Sequence, residues 1–279
     1  MKKSNEAVMK SRRGKTMGIF DGILLCSDFD GTMAMAAKVS QENADAIRYF
    51  QENGGWFCPT SGRRPDFFHQ FSGQFRPNCP VITLNGAVIS RYGENGEGDE
   101  LLYCGVLDHE TVKPVVTDML RQEGVTSACL HYMDELLVIP ASSENPEAEF
   151  ESFHHGLQKV VFGHHPEYAD QLKAYLRERY GHLYAVGSSW AKGIEIQNFA
   201  DTKGSSALRL KEMLGAHTLV CVGDYENDLS MVEMADIGYA VGDAIELLKQ
   251  AADRITVNCA DHALAAIVRD LEEDVKSRG

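Results

Sequence analysis

Short apolar runs separated by polar breaks dominate the first third of the chain. GILLCS (22–27), GWFCPT (55–60) and PVITLNGAVI (80–89) read as strands. Between the first two, SQENADAIRYFQENGG sets Ala44, Ile47 and Phe50 at helical spacing, with Ser40 as N-cap and Gly54 as terminator. PDFFHQF (65–71) bridges the second and third runs. Strands alternating with helical segments predict βαβ units, hence a parallel sheet with right-handed crossovers. The alternation returns near the C-terminus: a helix over Lys203–Leu214, strand HTLVCVGD, helix NDLSMVEMA, strand IGYAV, helix AIELLKQAA, strand RITVN and a last helix from about Asp261.

The middle follows another rhythm. HETVKPVVTDMLRQEG places Val112, Val115, Val116, Met119 and Leu120 on one helical stripe, and PEYADQLKAYLRERYG does so with Tyr168, Leu172, Tyr175 and Leu176, closed by Gly181. The short strand candidates LLYCGVL, ELLVIP, KVVFG, LYAVGS and GIEIQNF surround them. Few helices against several strands predict one sheet with helices on one face. The expected organisation is therefore α/β: a parallel-sheet core over 17–86 and 198–279, an inserted α+β domain over 87–197, and a disordered basic tail over 1–16.

Composition narrows the partners. With 27 basic and 41 acidic residues the formal charge is −14, which disfavours nucleic acid and anionic membrane surfaces. Seven cysteines, an odd number without a CxxC, suggest neither a disulfide framework nor a zinc knuckle and fit a reducing cytoplasm. The first 16 residues lack an apolar stretch long enough for a signal peptide, and no segment approaches the roughly 20 apolar residues of a membrane span. Oligomeric state leaves no trace in the sequence.

Unusual polar groups follow three apolar runs: Asp28 and Asp30 in DFDGT, Thr60, Ser61 and Gly62 in TSGR, and Gly223, Asp224, Asn227 and Asp228 in GDYEND. Lys203 and Gly204 open the helix where the core resumes. Each has a bland alternative. DFDG resembles a turn or the start of a calcium loop, although no third acidic ligand precedes its Gly and no Glu closes it. TSGRRP is an ordinary loop, GDYEND an ordinary acidic helix start, and a single lysine is usually solvated. Yet ligands of open parallel sheets sit outside the carboxyl ends of the strands, and these clusters share that position.

In this order the segments resemble the four motifs of the haloacid dehalogenase superfamily of phosphotransferases: DFDGT, TSGR, Lys203 and GDYEND. TLNGAVI, the IEI and KG that precede the returning core, and MVEMADIGYAVGDA extend the likeness to its Cof-type hydrolases, although Asp243 stands where the family often has Asn. The resemblance implies a Rossmann-like core under a large cap and a Mg²⁺-dependent phosphatase of small phosphorylated metabolites, such as sugar phosphates. It implies Asp28 as nucleophile, Asp30 as acid and base, and Lys203 as charge compensator. Thr32, Ser61, Gly62, Lys203 and Asn227 would hold the phosphate, and Asp28, Asp30 (through its carbonyl), Asp224 and Asp228 the metal. Phe29 should face away from the ligand.

Substrate contacts are sought at Arg63 and Asn85 on the core and at Ser188, Trp190 and Lys192 on the cap. Turn, core and solvated roles respectively compete with that reading for Asn85, Trp190 and Lys192. The histidines His154, His155, His164 and His165 read as solvated loop residues rather than as a metal site. A phosphomutase, or a non-catalytic metabolite-binding regulatory protein on the same scaffold, are the alternatives. A dehalogenase is disfavoured, since displacing halide needs neither Asp30 nor a metal.

Overall fold

The computed structural model describes residues 18–93, 98–153 and 156–278. The expected basic tail, the start of the fold at Met17, and His154 and His155 lie outside them. Strand β1 (Ile23–Asp28) is buried along its whole length, because its side chains enter a separate hydrophobic core on each face of the sheet. It pairs in parallel with β4 (Trp56–Thr60) on one side and β13 (Thr218–Gly223) on the other. The pairs Asp28↔Thr60 and Ser27↔Val222 align the carboxyl ends of all three strands. Beyond β13, β14 (Ile237–Ala240) and β15 (Arg254–Ile255) continue the parallel order.

Helix α1 (Gln41–Glu52) begins at Ser40, whose Oγ accepts from the Asn43 amide at 3.2 Å, and buries Ala44, Ile47 and Phe50. Helix α5 (Lys203–Leu214) packs on the opposite face of the sheet, against Leu24, Cys26, Cys58 and Cys221. Phe29 turns from the site into an aromatic core with Phe67, Phe68 and Phe71. That placement bears out the expectation that it faces away. All seven cysteines are free thiols.

The run PVITLNGAVI is not one strand. It forms β5 (Val81–Thr83), a reversal at Leu84–Gly86, and β6 (Val88–Arg91), which runs antiparallel to β5. Leu84, Asn85 and Gly86 all have positive φ (49°, 56° and 106°), a left-handed run that Asn and Gly tolerate and that a strand does not. Strand β7 (Glu100–Cys104), from the segment LLYCGVL, then pairs with β6. Strands β6 and β7 therefore extend the core sheet beyond the boundary expected at 87. The complete order is β15-β14-β13-β1-β4-β5-β6-β7. A small hairpin of β2 (Ala34–Met35) and β3 (Lys38–Val39), which the apolar pattern did not predict, follows the first motif.

The inserted layer is a five-stranded antiparallel sheet, β11-β12-β10-β8-β9, built from β8 (Val125–His131), β9 (Leu136–Pro140), β10 (Lys159–His164), β11 (Ala185–Trp190) and β12 (Gly193–Gln197). Helices α2 (His109–Met119) and α4 (Ala169–Tyr180) bury Val112, Val115, Val116, Leu172 and Leu176 in one core with Ala128, Leu130, Val160, Phe162, Ile194 and Ile196 of the strands. Strand side chains alternate between faces. The opposite face of this sheet thus carries Cys129, His131, Lys159, Val161 and Glu195, and all five line the cavity over the core.

Candidate active site

Asp28 ends the central strand at the bottom of that cavity. Lys203, the first residue of α5, is fully buried, and its Nζ donates to Asp28 Oδ1 at 2.5 Å and to Asp228 Oδ1 at 2.6 Å. The helix can start there because Thr202 caps it, accepting from the Ser205 amide at 3.1 Å. Asp228 Oδ2 accepts from the backbone amides of Asp224 and Tyr225 at 3.0 and 3.1 Å. Both Asp228 oxygens are thereby engaged in shaping the turn and holding the lysine. Gly223 makes room for this: a Cβ there would lie 2.3 Å from the Asp228 Cβ.

Among the described residues, Asp28, Asp224 and Asp228 form a group whose carboxylate oxygens lie within 4.8 Å of one another. One ammonium against three carboxylates leaves excess negative charge. Burial and the neighbouring Asp228 accordingly push the Asp28 carboxyl well up, and the same causes raise Asp224 to about 6. Burial acts to lower the Lys203 ammonium, but Asp228 and Asp28 outweigh it and hold the group above its ordinary range. A hard divalent cation bound by oxygen suits such a donor set, since it would relieve the repulsion that the lysine leaves uncompensated. Such an ion would be held by Asp28 and Asp224, beside Asp228.

The remaining expected residues are distributed unevenly. Ser61 and Gly62 line the cavity after β4, and the Ser61 Oγ accepts from the Arg63 amide at 3.1 Å. Asp30 lines it too, but its carboxylate faces Arg63, with Nε–Oδ2 at 2.9 Å and Nη2–Oδ1 at 3.2 Å. The Arg63 guanidinium rests 4.8 Å over the Phe67 ring. Arg63 is thus a partner of Asp30, where a substrate contact was expected. Thr32 is buried and donates to Asp224 Oδ1 at 3.0 Å, so its hydroxyl proton supports a carboxylate rather than an expected phosphate.

Asn85, expected as a substrate contact, bonds protein partners. Its Nδ2 donates to Glu195 Oε1 at 2.7 Å and to Ser189 Oγ at 3.2 Å, while its Oδ1 accepts from Asn227 Nδ2 at 3.1 Å. It therefore ties the core to the cap. Glu195 Oε2 pairs with Lys159 Nζ at 3.1 Å, and both side chains are buried. Trp190 lines the cavity, but Ser188 is buried away from the lining and Lys192 is exposed in the turn before β12. The register of β11 slips between Gly187 and Trp190, so that Ser189 and Trp190 both reach the cavity in place of Ser188. His164 is buried, contrary to the solvated role expected for it, and its Nδ1 lies 3.0 Å from the His165 carbonyl oxygen.

Lys159, Glu195, His131 and Ser189 were missed. Two of them left a signal, a charged residue within or at the start of an apolar strand: Lys159 before VVF and Glu195 between two isoleucines. His131 is held down at about 3 by burial, helped by Lys159 and Arg64, and is uncharged at neutral pH.

The parallel part of the core sheet thus brings Asp28, Lys203, Asp224 and Asp228 to one point under an antiparallel cap, a donor set that suits an oxygen-ligated cation. The chain belongs to the haloacid dehalogenase-like hydrolases, whose family model matches residues 25–268. It is similar to the 5-amino-6-(5-phospho-D-ribitylamino)uracil phosphatase YitU of Bacillus subtilis, with 23% identity over 88% of this chain and 96% of that protein. A second B. subtilis phosphatase of the same name, YcsE, is 26% identical over 88% of this chain and 94% of its own length. The fold is shared with the subclass IIB sugar phosphatase BT4131, at a TM-score of 0.73, 18% identity and coverage of 88% and 98% of the two chains. It is shared too with a HAD/COF-like hydrolase of Plasmodium vivax, at a TM-score of 0.76, 18% identity and 98% and 100% coverage. Both B. subtilis relatives are named as phosphatases, and the matched solved structures share the capped fold of this chain. No helix among the described residues is long and apolar enough to cross a membrane.

Proposed function

We propose that the chain hydrolyses small phosphorylated metabolites in the cytoplasm by way of an aspartyl-phosphate on Asp28, with Mg²⁺ as the bound cation. The meeting of Asp28 with Lys203, Asp224 and Asp228 carries this reading, because phosphoryl transfer needs a positioned nucleophile inside a charge-compensated pocket. An Asp28 oxygen forms a bond to phosphorus as the ester P–O bond breaks, and the departing alkoxide takes a proton from Asp30. Asp30 then accepts a proton from a water whose oxygen attacks phosphorus. The P–O bond to Asp28 breaks, inorganic phosphate leaves and the carboxylate is restored. When bound, the cation neutralises the carboxylates and the phosphoryl oxygens.

Ser61 and the Gly62 amide line the cavity and would orient the phosphoryl group, Lys203 would compensate its charge through Asp28, and the cap sheet would exclude water above it. Asp30 has to exchange its Arg63 contacts for the leaving oxygen, which makes Arg63 a positioning residue for the acid. Asp228 supports its own turn, and Asn227, which lines the cavity, donates to Asn85. The test is phosphate release from a panel of sugar phosphates and other phosphomonoesters, with Mg²⁺ and in chelator. Asp28→Asn and Asp30→Asn should both abolish turnover while keeping the wild-type circular dichroism. Undiminished turnover in chelator would end the reading.

A further inference from the structure

Four of the seven cysteines form a row across the core sheet, apart from the carboxylate site. Cys26 on β1 is the register partner of Cys221 on β13 and of Cys58 on β4, so these three side chains stand on one face. All three are fully buried, in one core with Ala207 and Leu210 of α5. Cys79, just before β5, extends the row. It also lines a separate cavity of about 210 Å³ beside Trp56 and Tyr92, which opens this end of the row to a small ion.

Buried cysteines usually act as small apolar residues. These differ because their sulfurs meet one another. Burial acts to raise the Cys58 thiol, but its hydrogen-bonding contacts with Cys26, Cys79 and Thr60 outweigh that and hold it well below the ordinary thiol range.

Strand spacing decides what the row can hold. Neighbouring strands stand about 4.8 Å apart, and two metal–sulfur bonds of about 2.3 Å laid end to end span about 4.6 Å. A disulfide needs sulfurs about 2.05 Å apart and Cβ atoms about 3.8 Å apart, which would draw the strands together. Among the described residues, the one group of three or more ligand atoms within 4.8 Å of one another is the carboxylate group, so the row supplies pairs of sulfurs and no tetrahedral cage for zinc. A sulfur pair selects a soft cation that accepts two ligands in line, the preference of Cu⁺ and Ag⁺. Single charge fits as well. One thiolate and one monovalent cation bury no net charge, whereas a divalent ion would need a second thiolate.

We propose that Cys26 and Cys58 hold a soft monovalent cation of the Cu⁺ class between β1 and β4. Two metal–sulfur bonds form. Cys58 binds as thiolate, its proton leaving to solvent, and Cys26 binds as thiol, so no electron is transferred. The site is independent of the phosphatase reading.

The test is anaerobic titration of the full chain with Cu⁺ buffered by bathocuproine disulfonate. One Cu⁺ per chain should be taken up, and X-ray absorption of the loaded protein should show two sulfur neighbours without nitrogen or oxygen. Cys26→Ala and Cys58→Ala should lose that uptake while keeping the wild-type circular dichroism. Cys104 and Met133 make another sulfur pair, with Sγ–Sδ at 3.8 Å, so Cys104→Ala is the control and should bind as the wild type does. Should a row variant fail to fold, the Cys104→Ala protein decides, since two sulfur neighbours retained there support the row. No uptake by the wild type, uptake kept in folded Cys58→Ala, loss in Cys104→Ala, or nitrogen or oxygen neighbours would each overturn the proposal. A Cys26–Cys58 disulfide found by peptide mapping after hydrogen peroxide would overturn it too, by showing the sulfurs close enough to bond each other.

Discussion

Replacing Lys203 by Met keeps the length of the side chain and removes its charge. Two carboxylates then lose their ammonium partner in a place where Lys203 itself is fully buried. At 2.5 and 2.6 Å, each contact is worth about 6 kcal/mol of attraction at an effective dielectric of ~20. Most of that is offset by the desolvation of the ammonium, and removing one partner of a buried pair typically costs about 3–5 kcal/mol. Urea unfolding of Lys203→Met in chelator should show a loss of that size. A divalent cation should restore part of it, because it compensates the same carboxylates, whereas turnover should stay lost. Lys203→Met combined with Asp228→Asn should recover stability relative to the single variant, since one of the stranded charges is gone. If Lys203→Met unfolds at the wild-type urea concentration in chelator, Asp28 and Asp228 are not the charge-strained pair described above.

Four further outcomes are expected. A divalent cation in about 100-fold excess over its dissociation constant should stabilise the wild type by about 2.7 kcal/mol in a thermal melt, and Asp224→Asn should lose most of that gain. His131 stays uncharged in the fold down to about 3 but titrates near 6.5 when unfolded. The unfolded chain therefore binds the extra proton, so this residue's contribution is present above about pH 6.5 and is lost as pH falls towards 3, at up to about 1.4 kcal/mol per unit. His131→Gln should consequently lose less stability than wild type between pH 7 and pH 5. The difference between the two proteins removes the opposite trend of Asp224, whose raised carboxyl favours the fold as pH drops through 6. Asn85→Ala should cost about 1–3 kcal/mol by stripping buried bonds from Glu195 and Asn227, and it should raise KM by loosening the cap. Glu226→Gln should raise KM and weaken its salt dependence, because Lys173 and Arg177 on α4 reach across to that carboxylate from the cap.

The alternation of apolar runs was enough to read the parallel half of the core, because parallel strands covered by helices on both faces are apolar throughout. The β5–β6 reversal was not legible as apolar periodicity, since VITLNGAVI stays apolar through a left-handed turn; only Asn85-Gly86 marked it. That single reversal moved the cap boundary by the length of a hairpin. The core site was readable because each of its groups ends a strand or opens a helix. The cap side was not, because a face of a sheet is assembled from five strands whose order no local pattern specifies. Ser188 and Ser189 are interchangeable by composition, and only the slip in β11 decides between them.

The division of labour between the two layers follows from this geometry. The core end of the cavity is charged and tightly cross-linked: Thr32 holds Asp224, Asp228 holds both its turn and Lys203, and Lys203 holds Asp28. A change at any one of these unbalances the others, so the chemistry is confined to a small set of residue types. The cap face couples to that network through Asn85 and Glu226, while on its cavity wall the Lys159–Glu195 pair is closed on itself and Cys129, Leu136, Val161 and Trp190 bear no charge. Substitutions on that wall alter the shape offered to the leaving group without disturbing the carboxylates. Selectivity for the alcohol is therefore free to change on this scaffold while the phosphoryl end stays the same, and the cross-links through Asn85 and Glu226 are where an altered cap would still have to make contact for the site to close.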